Sequence, residues 1–99
     1  MSPLLTEVHA RWRAMFSSLA GGGDVPPGQR LRTEGLMEAV ALIGESTPEA
    51  LQAEMGESYQ ACFGRALTED FGEQWAEFFP FPQIPAMARR APVYPSTPE

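Results

Sequence analysis

Residues 2–23, SPLLTEVHARWRAMFSSLAGGG, contain the signals that decide the fold. Ser2 offers a side-chain oxygen at an N-cap, and Pro3 has the fixed φ that suits a first helical position. The apolar residues that follow recur every three or four positions, as on one face of a helix: Leu5, Val8, Trp12, Met15 and Leu19, widened by Phe16. Three glycines at 21–23 end the pattern, because glycine disfavours helix and tolerates a left-handed cap. We therefore predict an amphipathic helix over residues 3–20.

A second helix is predicted over residues 29–44, after a proline-containing linker at 24–28 and before a stop at Gly44. Its predicted buried face consists of Leu36, Val40 and Ile43, with Leu31 and Met37 nearby. An acidic row would then point away from that face: Glu34, Glu38 and Glu45.

A third helix is predicted over residues 48–63, where Thr47 fits an N-cap and Pro48 a first helical position. Its apolar positions are Leu51, Met55, Tyr59, Cys62 and Phe63. Gly64 favours a break, after which Thr68 would cap a fourth helix over residues 69–79. One long helix kinked near Gly64 is the alternative, because the apolar phase continues across it. No stretch shows the alternation of a strand. We therefore predict an all-α fold, a small three- or four-helix bundle.

The chain changes character after Phe79. Six of its ten prolines lie between Pro80 and Pro98, and a helix cannot continue through them. We therefore divide the chain into a helical domain, residues 1–79, and an extended proline-rich arm, residues 80–99. Large apolar side chains along this stretch are unusual for a plain linker: Phe79, Phe81, Ile84, Met87, Val93 and Tyr94. The sequence leaves open whether the arm packs on its own bundle, on a second copy or on a partner.

Composition narrows the classes of partner. The 99 residues include thirteen acids and seven bases, a net charge of −6, and every base is arginine. Nucleic acids and anionic membranes attract clustered positive charge, so we expect neither as a direct partner. With no signal-peptide pattern, no membrane-length apolar run and a single cysteine, we expect a cytoplasmic protein. The abundance of alanine, glycine and arginine without lysine or asparagine favours a bacterial source.

The sequence contains no recognisable catalytic or metal-binding set. His9, at the margin of the first helical stripe, is typical of a boundary residue with a hydrogen-bond partner. Cys62 is expected to be a buried, unreactive thiol, and a Cys62–His9 pair is the alternative. One histidine and one cysteine are too few for an ordinary zinc site. We therefore predict no enzymatic activity, no metal and no cofactor.

Acidic residues recur on the predicted fourth helix. Glu69, Glu73 and Glu77 stand four residues apart with Asp70 alongside, and no arginine lies within that helix. Either this face is solvated, or it meets a cation from Arg89-Arg90 of the arm or from a basic partner.

These features favour a non-catalytic regulator or adaptor that binds another protein. In one version it is an antagonist that covers a partner's oligomerisation surface, as anti-activators and antitoxins do, and we also expect a homodimer. The candidate binding residues are Phe79, Phe81, Ile84, Met87, Arg89, Arg90, Tyr94, Glu69, Glu73 and Glu77. One alternative is a bundle that binds an apolar ligand or haem-like cofactor through His9, Cys62 or a methionine. The other is an acidic mimic of a nucleic acid.

Overall fold

The computed structural model describes residues 2–86, and within them it contains five helices and no strand. Three helices are long: α1 (Pro3–Ala20), α2 (Pro27–Leu42) and α3 (Pro48–Phe63). Two are short: α4 (Leu67–Phe71) and α5 (Trp75–Phe78). The prediction of a small all-α bundle is confirmed.

Local capping chemistry sets the ends of α1 and α3. The Ser2 hydroxyl oxygen accepts the N–H of Leu5 at 3.1 Å, and the Thr47 hydroxyl oxygen accepts the N–H of Ala50 at 3.1 Å. Each cap is followed by proline at the first helical position. The predicted ranges 3–20 and 48–63 are therefore confirmed. Gly64 ends α3 in the left-handed conformation, with φ 74°, so the alternative of one kinked helix is wrong.

The core is centred on α1, which packs against both α3 and α2. His9 faces Glu54 and Ser17 faces Cys62, so α1 and α3 run parallel. The buried apolar residues are Val8, Trp12, Met15, Phe16, Leu19, Met37, Val40, Leu51, Met55, Tyr59, Leu67, Ile84 and Ala86. The Tyr59 ring stacks on Phe63 at 4.2 Å between centroids and meets Phe16 edge-on at 5.2 Å. Such aromatic contacts add to the stability that burial alone supplies.

The buried face of α2 differs from the predicted one. Thr33, Glu34, Met37 and Val40 are buried, Leu36 is half-buried, and Leu31 and Ile43 are 58% and 61% exposed. The two polar residues can be buried because each has hydrogen-bond partners; the Thr33 hydroxyl, for example, donates to the Gln29 carbonyl at 2.9 Å. Apolar periodicity cannot detect such a face.

Glu34 therefore does not belong to an exposed acidic row with Glu38 and Glu45, and that prediction was wrong. The helix itself runs over Pro27–Leu42 rather than 29–44, since Pro27 fits its first turn.

The predicted helix over 69–79 is two short helices. Gly72, with φ 96°, separates α4 from α5, and Ala66 rather than Thr68 is the N-cap of α4. Glu69 lies on α4, Glu73 in the intervening turn and Glu77 on α5. The predicted acidic face with a four-residue repeat is therefore wrong.

The first residues of the arm, 80–86, pack on the helical domain. Phe81 is half-buried, and Ile84 and Ala86 belong to the core. A turn directs this segment, in which the N–H of Gln83 donates to the Pro80 carbonyl at 2.8 Å and the Phe81–Pro82 peptide is cis. The rest of the arm lies outside the described residues, including Met87, Arg89, Arg90, Val93 and Tyr94. Within residues 2–86, no helix has both the length and the apolar character that crossing a bilayer requires.

Candidate functional site

A groove of about 440 Å³ lies at the C-terminal end of α2. Ala41 and Leu42 of α2, Pro48 of α3 and Phe81 of the arm form its apolar lining, and Glu38 adds a carboxylate. We call it the α2–Phe81 groove. Leu42 is 86% exposed, which leaves almost the whole side chain in water. Clustered apolar side chains around a concave surface are typical of a protein-binding site.

The chain path explains why Leu42 has no neighbour to cover it. Leu42 is the last residue of α2, and the chain turns away at Gly44, where φ is 77°. Ile43, between them, is also exposed. The turn leads to Pro48, which begins α3 beside the groove. The end of α2 therefore presents apolar side chains that the bundle does not bury.

The surroundings of the α2–Phe81 groove are acidic. Glu38 lies in the groove, and Glu45 and Glu49 are exposed on the chain that connects α2 to α3 and in the first turn of α3. No arginine or lysine occurs between Arg32 and Arg65. The carboxylates in and next to the groove along the chain therefore favour an apolar ligand with positive charge at its margins.

Contacts between the arm and α2 place Phe81 in the groove. Oε2 of Glu34 accepts two hydrogen bonds, one from the backbone N–H of Ile84 at 2.9 Å and one from Nη1 of Arg30 at 2.8 Å. Ile84 thus meets α2 near its middle, while Phe81 lies beside Leu42 at its end. The arm segment accordingly runs antiparallel to α2.

A second groove, of about 560 Å³, lies between α1 and α3, and most of the residues that line it carry polar or charged side chains. At one end, Nε2 of His9 lies 2.7 Å from Oε1 of Glu54, and the His9 ring stacks on Trp12 at 5.1 Å between centroids. At the other end, Sγ of Cys62 lies 3.3 Å from the Ser17 hydroxyl. The expectation that His9 is a boundary residue with a hydrogen-bond partner is confirmed.

The predicted alternative of a Cys62–His9 pair is wrong. Cys62 faces Ser17, and His9 lies two turns earlier on α1, about 12 Å away along the helix axis. Cys62 is half-buried rather than fully buried, because it borders the polar groove. Across residues 2–86, no three histidine, cysteine, aspartate or glutamate side chains are grouped closely enough to hold a metal ion.

A polar cluster joins α3 to α4. The Tyr59 hydroxyl donates to Oδ2 of Asp70 at 2.5 Å, and Arg65 donates through Nε and Nη2 at 2.7 and 3.0 Å. The hydrogen bond and charge of Asp70 raise the pKa of the Arg65 guanidinium above its ordinary value. Asp70, predicted on an acidic surface, is instead buried and satisfied, so its role is to stabilise the fold.

The structure does not gather the predicted binding residues into one site. Phe81 lines the α2–Phe81 groove, Ile84 lies in the core, and Phe79 packs edge-on against Phe71 at 5.4 Å. Glu69, Glu73 and Glu77 are exposed but separated, as described above.

Sequence reasoning missed Leu42, Pro48 and Glu34 as residues of interest. One signal could have found Leu42, since it lies off the stripe on which Val40 and Met37 fall. Comparisons of the chain with protein-family models, with curated proteins and with solved structures found no match.

Proposed function

We propose that this protein is a non-catalytic regulator or adaptor that binds another protein through the α2–Phe81 groove. The observation that carries the proposal is the exposure of Leu42, 86%, at a groove whose other walls, Pro48 and Phe81, are also apolar. Burying a leucine side chain is worth about 2 kcal/mol relative to leaving it in water. A partner that covers Leu42 gains that free energy, and a few buried side chains carry most of the binding energy at many interfaces.

The partner we propose is an amphipathic helical segment with basic residues beside its apolar face. Its apolar side chains would enter the groove, and its lysine or arginine side chains would lie near Glu38, Glu45 and Glu49. Opposite charges at the margin speed the encounter and favour such a partner over an acidic one. Raising the salt concentration should therefore slow association.

In its finer form, the proposal is that the captured helix belongs to the partner's own oligomerisation surface. Amphipathic helices commonly mediate self-assembly, and a protein that covers one blocks it. The protein would then act as an antagonist, in the manner of an anti-activator or antitoxin.

The alternative function, binding of an apolar ligand or haem-like cofactor, has less support. The groove that His9 and Cys62 line contains the charged side chains of Arg13, Glu54 and Glu57, and His9 is engaged with Glu54. Ligand pockets for apolar molecules are mainly apolar, with few polar groups.

Two exposed leucines on α2 provide a matched test. Leu42 lines the groove and Leu31 does not, yet both are exposed and neither belongs to the core. Wild-type protein, Leu42→Asp and Leu31→Asp are used to capture partners from the source cells, and the partner found is titrated calorimetrically. We expect Leu42→Asp to weaken binding at least about tenfold and Leu31→Asp to leave it unchanged.

Circular dichroism confirms that both variants keep the helical fold. If both variants bind the captured partner as tightly as the wild type, the groove is not the binding site and the proposal is wrong.

A further inference from the structure

Glu34 is a charged residue at a core-facing position of α2, only 7% exposed. Burying a carboxylate is costly unless hydrogen bonds or an opposite charge compensate. Its Oε2 atom has both, from Arg30 Nη1 at 2.8 Å and from the backbone N–H of Ile84 at 2.9 Å. Arg30 is one turn away on the same helix, whereas Ile84 belongs to the arm.

The arm has few ways to bond to the helices. Pro80, Pro82 and Pro85 have no N–H group. The N–H groups of Gln83 and Ala86 donate to carbonyls within the segment, at 2.8 and 2.7 Å. Within residues 80–86, the Ile84 N–H makes the one hydrogen bond that reaches the helical domain.

We propose that Glu34 is a positioning residue for the α2–Phe81 groove: its bond to Ile84 holds the arm on α2 and thereby holds Phe81 in the groove wall. Phe81 lies three residues before Ile84, so the bond restricts where its ring can lie. If the arm leaves α2, the groove loses its Phe81 wall. This inference rests on the function proposed for the groove, and it makes binding conditional on an internal contact of the chain.

Charge strengthens the contact. A hydrogen bond to an ionised carboxylate is shorter and stronger than one between neutral groups. Arg30 keeps that charge compensated in a site with little water. Glutamine in place of Glu34 keeps the size and one acceptor oxygen but loses the charge. It should therefore bond the arm more weakly, and alanine should make no bond to it, which leaves the arm held by the packing of Ile84 and Ala86 alone.

The contact itself is tested by amide hydrogen exchange on the full chain, measured by NMR. We expect exchange of the Ile84 amide to rise about tenfold or more in Glu34→Ala, relative to the core amide of Met55 in the same sample. Glu34→Gln should have a smaller effect and is the variant to use if Glu34→Ala does not fold. Glu57→Gln is the control, because Glu57 is an exposed carboxylate on α3 that lines the groove between α1 and α3 and not the α2–Phe81 groove. If the Ile84 amide exchanges no faster relative to the Met55 amide in Glu34→Ala than in the wild type, the inference is overturned. Where only Glu34→Gln folds, the same result in that variant overturns it.

The link to the groove is tested with an amidated amphipathic peptide of leucine and lysine, titrated against the same variants and Leu42→Asp. We expect Glu34→Ala, or Glu34→Gln in its place, to weaken binding in the same direction as Leu42→Asp, while Glu57→Gln retains most of it. If Leu42→Asp loses binding while the Glu34 variants bind as the wild type does, the groove works without this contact. That result would overturn the inference about Glu34 and leave the proposed function standing. A peptide that fails to bind the wild type counts against the proposed function, and the exchange measurement still decides whether Glu34 holds the arm.

Discussion

Replacing Ile84 with alanine tests whether the beginning of the arm belongs to the core. Ile84 is 1% exposed and lies among the buried apolar residues. The substitution removes three carbon atoms, each worth about 0.8 kcal/mol of transfer free energy, or about 2.4 kcal/mol together. The cavity left behind raises the expected loss to about 3 kcal/mol. Against a total stability of about 5–10 kcal/mol for a domain of this size, that loss is large.

The assay is urea unfolding followed by tryptophan fluorescence, since Trp12 is completely buried and reports on the core. The free energy of unfolding comes from the midpoint and the slope of the transition. Gln83→Ala is the matched control, because Gln83 is an exposed neighbour in the same segment. Its effect should stay within about 0.5 kcal/mol. A loss below about 1 kcal/mol for Ile84→Ala would refute the packing of this segment on the helices.

Other substitutions test the backbone and the polar contacts by the same unfolding assay. Gly35→Ala should stabilise the protein by about 0.5–1 kcal/mol, because it lies within α2 with open space around an added Cβ. Gly64→Ala should destabilise it by about 1 kcal/mol or more, because φ is 74° there; equal effects at the two glycines would contradict these conformations. Tyr59→Phe should cost about 2 kcal/mol, because it removes a donor from buried Asp70, and a neutral result would mean that this bond is not formed. Thr47→Ala should cost about 1 kcal/mol through loss of the α3 N-cap, and no loss would argue against that cap.

The candidate site was only partly predictable. Phe81 was predicted to bind a partner, on the basis of an aromatic ring between two prolines, and it does line the groove. Leu42 and Pro48 were read as a helix residue and a helix start, which is correct locally. Their meeting with Phe81 depends on how α2, α3 and the arm pack, and such long-range geometry leaves no pattern in any one segment.

Sequence alone determined the elements whose signals are local. The N-caps at Ser2 and Thr47 bond to N–H groups three residues later, and Gly64 ends α3 through its own backbone conformation. Such interactions are complete within about one turn of helix, so they can be recognised without knowing the fold.

Tertiary structure decided what depends on distant partners. Glu34 can be buried on α2 because Arg30 compensates its charge and Ile84, fifty residues later, donates its N–H to it. The buried face of α2 accordingly includes Glu34, while Leu31, Leu42 and Ile43 are exposed. Apolar periodicity assumes that polar residues face water, and the assumption fails wherever the fold supplies a buried polar group with its partners.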